Sequence, residues 1–168
     1  MKKIFTIAVS MATLSIYSQT TKQEKIIDSY FPKNEIKVNI VYPFWGMGEI
    51  SYERSLGSHS SVGISAFMDF KESKNSFFIS PYYRYYFGGM SKGFYLEGQT
   101  IFAKSSDKNL FSAESENGKM IFGIGAGGGY KFVMKNNWFF DANITAGSLF
   151  SKENQLYFRP GLSFGKRF

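Results

Sequence analysis

Cysteine is absent from the 168 residues, which excludes disulfide frameworks, thiolate metal sites, thiol catalysis and lipid attachment through an N-terminal Cys. Histidine occurs once and proline four times. After residue 17 no apolar run matches the first one, so no transmembrane helix is expected in the exported chain. Past residue 35 no helix-period pattern competes with a period of two. What is abundant is Gly, at 17, and aromatic residues, with 19 Phe, 11 Tyr and 2 Trp. At 43% hydrophobic and 20% charged residues the chain is neither disordered nor a helical membrane protein, and its length suits one small domain of strands and turns.

The first 18 residues read as a cleaved signal peptide: Met1-Lys2-Lys3 is the basic start, and Ile4 to Tyr17 is an apolar stretch too short to span a bilayer. Residues 19–34 read as a periplasmic leader, with one or two amphipathic turns over Lys25 to Phe31 before Pro32. Residues 35–168 divide into eight segments of alternating polarity separated by turn-forming residues, the signature of an all-β, eight-stranded antiparallel up-and-down barrel. In the fourth, Phe77, Ile79, Pro81, Tyr83, Tyr85 and Phe87 oppose Phe78, Ser80, Tyr82, Arg84 and Tyr86; in the sixth, Met120, Phe122, Ile124 and Ala126 oppose Gly123, Gly125, Gly127 and Gly129.

The polar face decides between a soluble and a transmembrane barrel. It is rich in Gly, Ser, Asn and Tyr with isolated charges, whereas a water-facing surface carries many Lys and Glu; most Lys here fall in turns and segment ends. An apolar exterior around a polar lumen is the pattern of an outer-membrane barrel, where closure pairs every backbone group. Outward aromatics near segment ends, Tyr42, Phe70, Phe77, Phe87, Phe94, Phe102, Phe132, Trp138, Phe158 and Phe168, suit two interfacial girdles.

With the first strand rising from the periplasm, the longer outer loops are 71–76, 104–117 and 148–154, the expected surface for a partner, and the periplasmic turns are short. Basic residues gather at the periplasmic end, among them Lys33, Lys37, Arg54, Lys92, Lys131, Lys135, Lys166 and Arg167, where they are expected to snorkel to anionic headgroups of outer-membrane lipids. Nucleic acid is excluded as a partner by export and by the lack of a basic motif. Inward parity collects Glu49, Glu53, Asp69, Glu97 and Asp141 with Arg84 and Arg159, and Lys37, Lys119 and Lys131 towards segment ends. Eight strands leave an interior that side chains fill, so these groups are expected to pair as a lumen charge network.

The segment Tyr42-Pro43-Phe44-Trp45-Gly46 leading into Ile50-Ser51-Tyr52-Glu53-Arg54, the run Ser80 to Phe87, and the ending Arg159 to Phe168 resemble small outer-membrane β-barrel proteins with the architecture of the OmpA membrane domain and OmpX. The resemblance covers about residues 35 to 168. It implies the fold, outer-membrane location and, through Phe164 and Phe168, recognition by the barrel-assembly machinery. It implies no activity, and no peptidoglycan-binding domain is expected after the barrel.

A structural or surface-interaction role without enzymatic activity, cofactor or metal is the expectation. Two other classes fit the pattern: an outer-membrane lipid-modifying enzyme and an exported soluble barrel holding a small apolar ligand. His59-Ser60-Ser61 resembles the His-x-Ser motif of outer-membrane lipid A deacylases, yet it falls in a periplasmic turn with no partnering acid in evident reach. The Gly123 to Gly129 run alternates within a strand and so is no phosphate loop.

Overall fold

The computed structural model describes residues 32–70, 77–104, 120–150 and 155–168. The signal peptide, nearly all of the leader, Lys119 and most of the three long outer loops lie outside the described residues. Eight antiparallel strands close into one barrel in sequence order: β1 Asn34–Asn39, β2 Met47–Ser55, β3 Ser60–Asp69, β4 Phe77–Tyr86, β5 Gly93–Lys104, β6 Met120–Val133, β7 Trp138–Phe150 and β8 Gln155–Arg167. Closure comes from β1 pairing with β8, Glu35 opposite Arg167 and Val38 opposite Phe164. The strands form where the period-two pattern placed them because only closure satisfies their ladders without leaving an edge.

Three boundaries differ from the sequence reading. β1 stops at Asn39 instead of running on to Tyr42: the Asn39 side-chain oxygen accepts from the backbone N–H of Val41 at 3.0 Å and of Tyr42 at 3.3 Å, which turns the chain into a short 3₁₀ helix, Tyr42–Trp45. At the other boundaries, residues 148–150 extend β7 and Lys104 ends β5, so these residues belong to the wall and not to loops.

The interior has two layers. Towards the outer end lies an apolar plug of Tyr42, Phe67, Phe78, Ile101, Ile121, Leu149 and Tyr157. Phe67 and Phe78 stack at 4.5 Å, and Tyr42 meets Phe67 edge-on at 5.7 Å. Tyr42 is therefore no member of the outer girdle. Its ring turns inward once the 3₁₀ turn breaks the parity of β1, and its hydroxyl donates to the Pro160 carbonyl at 2.8 Å. Burial pushes that phenol up to about 12, against the opposing pull of Arg159, so it remains a neutral donor. Towards the other end, the lumen is filled with charged groups.

Candidate functional site

The charged layer centres on Glu53 of β2, fully buried. Its two oxygens accept from Ser61 at 2.7 Å, Tyr86 at 2.6 Å, Lys131 at 2.9 Å, Tyr82 at 3.2 Å and Arg84 at 3.1 Å. Arg84 reaches two further acids. Its Nε and Nη2 converge on Glu97 at 2.7 and 2.6 Å, and Nη1 donates to Asp141 at 2.7 Å. Asp141 also takes Lys37 and the Tyr95 hydroxyl, the latter at 2.5 Å. Lys131 bonds Glu35 at 2.5 Å, and Glu35 pairs with Arg167 at 2.7 Å. The ring faces of Tyr95 and Tyr82 lie 4.2 and 4.8 Å from the Arg84 guanidinium, adding cation–π attraction.

Glu35, Glu53, Glu97 and Asp141 thus meet Lys37, Arg84, Lys131 and Arg167, four anions and four cations with a net charge of zero. Above them Arg159 pairs with Glu49 and donates to Gln99 at 2.7 Å, while Gln99 donates to Thr145 and Tyr157. A cavity of about 10 Å³, bordered by Lys37, Tyr82, Arg84, Glu97, Asn143 and Arg159, separates the two groups and is no larger than one water needs. Of the eight lumen residues named from the sequence, Glu53, Arg84, Glu97, Lys131 and Asp141 meet in one cluster, and Glu49 and Arg159 form the second. Asp69, the last residue of β3, is half-buried at the outer end beyond the aromatic layer.

Sequence reading placed Arg167 at the rim as a snorkelling cation, and the structure corrects this; Lys37 and Lys131, which it counted both among the rim cations and, by inward parity, in the lumen, take the lumen place. All three are buried in the lumen because their parity carries them inward to Glu35, Asp141 and Glu53. Glu35, Arg167 and the phenols of Tyr82, Tyr86 and Tyr95 were missed as members of the cluster. Their signal was the same parity that collected the acids.

Arg167 also closes the periplasmic mouth. Its guanidinium donates to the carbonyls of Met90 and Ser91, drawing the β4–β5 turn across the opening, where Ser91 is fully buried and bonded to Ser55 at 2.8 Å. Met90 and Ser91 take positive φ of 52° and 48°, a conformation that costs non-glycine residues and that these contacts hold in place. Arg167→Met is expected to reduce the cost of opening this turn by about 1.5–3 kcal/mol. Hydrogen exchange would then speed up at Ser91, whose amide donates to Ser58 O, and at Lys92, bonded to Gly89 O. Unchanged protection at both amides would refute the role given to Arg167.

The outside of the barrel is the inverse of a soluble protein's. Leu156 is 90% exposed, Met120 71%, Phe70 68% and Phe94 68%, and exposed Ile, Val, Phe and Tyr cover the strands between them. Among the described residues the exposed charges are basic and confined to the periplasmic end. Such a wall suits hydrocarbon, with its charges within and its aromatics near both ends: this is a membrane β-barrel of the outer-membrane type. Among the described residues no helix is long and apolar enough to cross a membrane.

His59 stacks on Tyr85 at 6.1 Å, and the Ser61 hydroxyl is buried and donates to Glu53. The two residues of the His-x-Ser spacing are thus engaged with other partners.

The fold matches the N-terminal β-barrel domain of Pseudomonas aeruginosa OprF with a TM-score of 0.61 at 17% identity, over 82% of this chain and 98% of that one. The Yersinia pestis outer membrane protein Ail aligns at 12% identity and a TM-score of 0.47, over 82% of this chain and 99% of that one. No curated protein matches the chain in sequence. The family model described as protein of unknown function (DUF3575) matches residues 4–162, and the chain belongs to that family.

Proposed function

We propose that the protein is a closed, non-enzymatic barrel of the outer membrane, with a structural role and a surface for partners in loops 71–76, 104–117 and 148–154. The observation that carries this reading is the filled interior: an aromatic plug and paired charges pack the described lumen. A wall so packed resists deformation and gives the outer loops a rigid base. Its charge network is balanced, so the lumen needs no counter-ion or bound ligand to be stable. Phe164 and Phe168 lie on the outward parity at the end of the closing strand, Phe164 stacked on Trp138 at 4.9 Å, and suit recognition by the barrel-assembly machinery.

Cell-envelope fractionation with electrophoresis of the extracted chain, unheated and boiled, tests the reading. An outer-membrane pellet and a heat-dependent shift in mobility are the expected results. In planar bilayers the folded barrel is expected to give no steady conductance. A soluble periplasmic protein without a heat shift would overturn the membrane reading, and a steady open channel would overturn the closed lumen.

A further inference from the structure

We propose that the wall over β1–β3 binds one anionic phospholipid, its phosphate held by Arg54, Lys33 and Lys166 and one acyl chain lying in a furrow above them. This rests on the membrane-barrel reading.

The charge is asymmetric around the rim. Lys33, Arg54, Lys92, Lys135 and Lys166 are exposed, while the acids described at that end, Glu35, Glu53, Glu97 and Asp141, are all buried and internally paired. Around the barrel, Lys166 on β8, Lys33 just before β1 and Arg54 on β2 occupy neighbouring strands. Register sets Lys166 opposite Ile36 and Arg54 opposite Asn34. Two strand spacings and the two-residue offset along the strands place Lys166 and Arg54 about 12 Å apart across β1, within joint reach of one phosphate once the Lys166 ammonium, 5.2 Å from the Trp138 ring on β7, swings across. The other arc, β3 to β6, presents Tyr83, Tyr85, Phe87, Phe94 and Phe132, with Lys92 in the turn.

Directly above the cations the wall is hollow. Ala66 sits between Ile50 and Ile79 in one cross-strand row, and Ile36, Tyr52 and Ile64 form the row below, one step above Asn34, Arg54 and Val62. The small side chain of Ala66 between two isoleucines leaves a depression of about 250 Å³ that runs into a second of about 580 Å³ towards Met68, Phe70 and Phe77. Both are lined mainly by apolar groups. Water lacks partners there, and an empty hollow forfeits dispersion contacts, so in a bilayer its occupant is a hydrocarbon chain. A chain lying along this furrow brings its headgroup to the depth of Arg54, where the described side chains supply positive charge and no exposed acid. The tail site and the headgroup site are thus continuous.

The test is native mass spectrometry of the full-length protein extracted in mild detergent, with phosphatidylglycerol, phosphatidylcholine of the same chain length, or inorganic phosphate added. Wild type is expected to retain phosphatidylglycerol preferentially. The triple variant Lys33→Gln/Arg54→Gln/Lys166→Gln is expected to lose that preference by roughly tenfold or more, from the attraction of each basic side chain for an anionic headgroup. Lys92→Gln, on the opposite arc, leaves it intact. Ala66→Phe fills the furrow and lowers retention of both lipids without changing their ratio. All four proteins are first shown to keep the heat-dependent mobility shift, so a misfolded variant is not scored. Equal retention of the two lipids by wild type, or an unchanged preference in the triple variant, overturns the site. So does a phosphate adduct as persistent as the lipid, which would assign the cations to free phosphate. A barrel that floats with vesicles yet shows no preference fails this proposal alone; a chain that does not float fails the membrane reading.

Discussion

Arg84→Met is expected to lower the stability of the barrel by about 3–5 kcal/mol, the cost of leaving buried charge without its partner. Arg84 is 2% exposed and contacts three carboxylates, Glu53, Glu97 and Asp141. The interior around it holds as many anions as cations, so its loss leaves a net negative charge that neither water nor lipid reaches. Lys37 and Lys131 still approach Glu53 and Asp141, but Glu97 loses both of its bonds from the guanidinium. Three variants separate charge from shape. Arg84→Lys keeps the charge but cannot span three acids with one fork, and is expected to fall between wild type and Met. Arg84→Met/Glu97→Gln restores the balance and is expected to recover part of the loss, and with Glu97→Gln alone it closes the cycle that gives the coupling between the two residues. Urea titration of the full chain in lipid vesicles measures all of these. A single variant within about 1 kcal/mol of wild type would mean the interior is wetter than its packing implies, since exposed pairs are worth no more than that.

Much of this arrangement was legible in the sequence because one physical rule governs a strand: neighbours point to opposite faces. Arg84, Glu53 and Asp141 share the inward parity, so their meeting in a narrow barrel followed from strand number alone. The rule fails where strands end. Tyr42 continues the outward parity of Ile36 and Val38, but Asn39 accepts the backbone of Val41 and Tyr42 and sends the ring inward. Arg167 has inward parity too, yet so near a strand end its fate depends on whether the mouth is open. The β4–β5 turn covers that mouth, a contact 76 residues distant in sequence that no local pattern encodes. The division into an aromatic outer layer and a charged inner one likewise depends on register, which stacks Phe67 on Phe78 and sets Arg84 beside Glu97.

Gly127→Ala is expected to destabilise the barrel by about 3 kcal/mol, at the upper end for overpacking by one carbon. A Cβ at Gly127 would lie 2.1 Å from the Ile144 carbonyl oxygen and 2.6 Å from the Thr145 Cα, both backbone atoms of β7 that cannot swing aside. Gly125 differs: its closest obstacle, at 1.9 Å, is the Tyr157 hydroxyl, the far end of a side chain, although the Ala146 carbonyl oxygen follows at 2.9 Å. Gly125→Ala is therefore expected to cost less than Gly127→Ala and to act partly by displacing the Tyr157 hydroxyl from Gln99. Gly98 on β5, opposite Ala126, has nothing within 4 Å of its added carbon. Gly98→Ala should stay within about 0.5 kcal/mol of wild type. Both Gly98 and Gly127 lie in strands with ordinary φ, so the entropy their replacement removes from the unfolded chain is similar. The difference between the two variants, read from the same urea titration in vesicles, isolates the close approach of β6 and β7. Equal effects would show that the glycines of β6 are there for backbone freedom and not for contact. The larger effect at Gly127 would mean that they let the neighbouring strands β6 and β7 bend closely against each other within the wall, leaving a lumen of the width its paired side chains can fill.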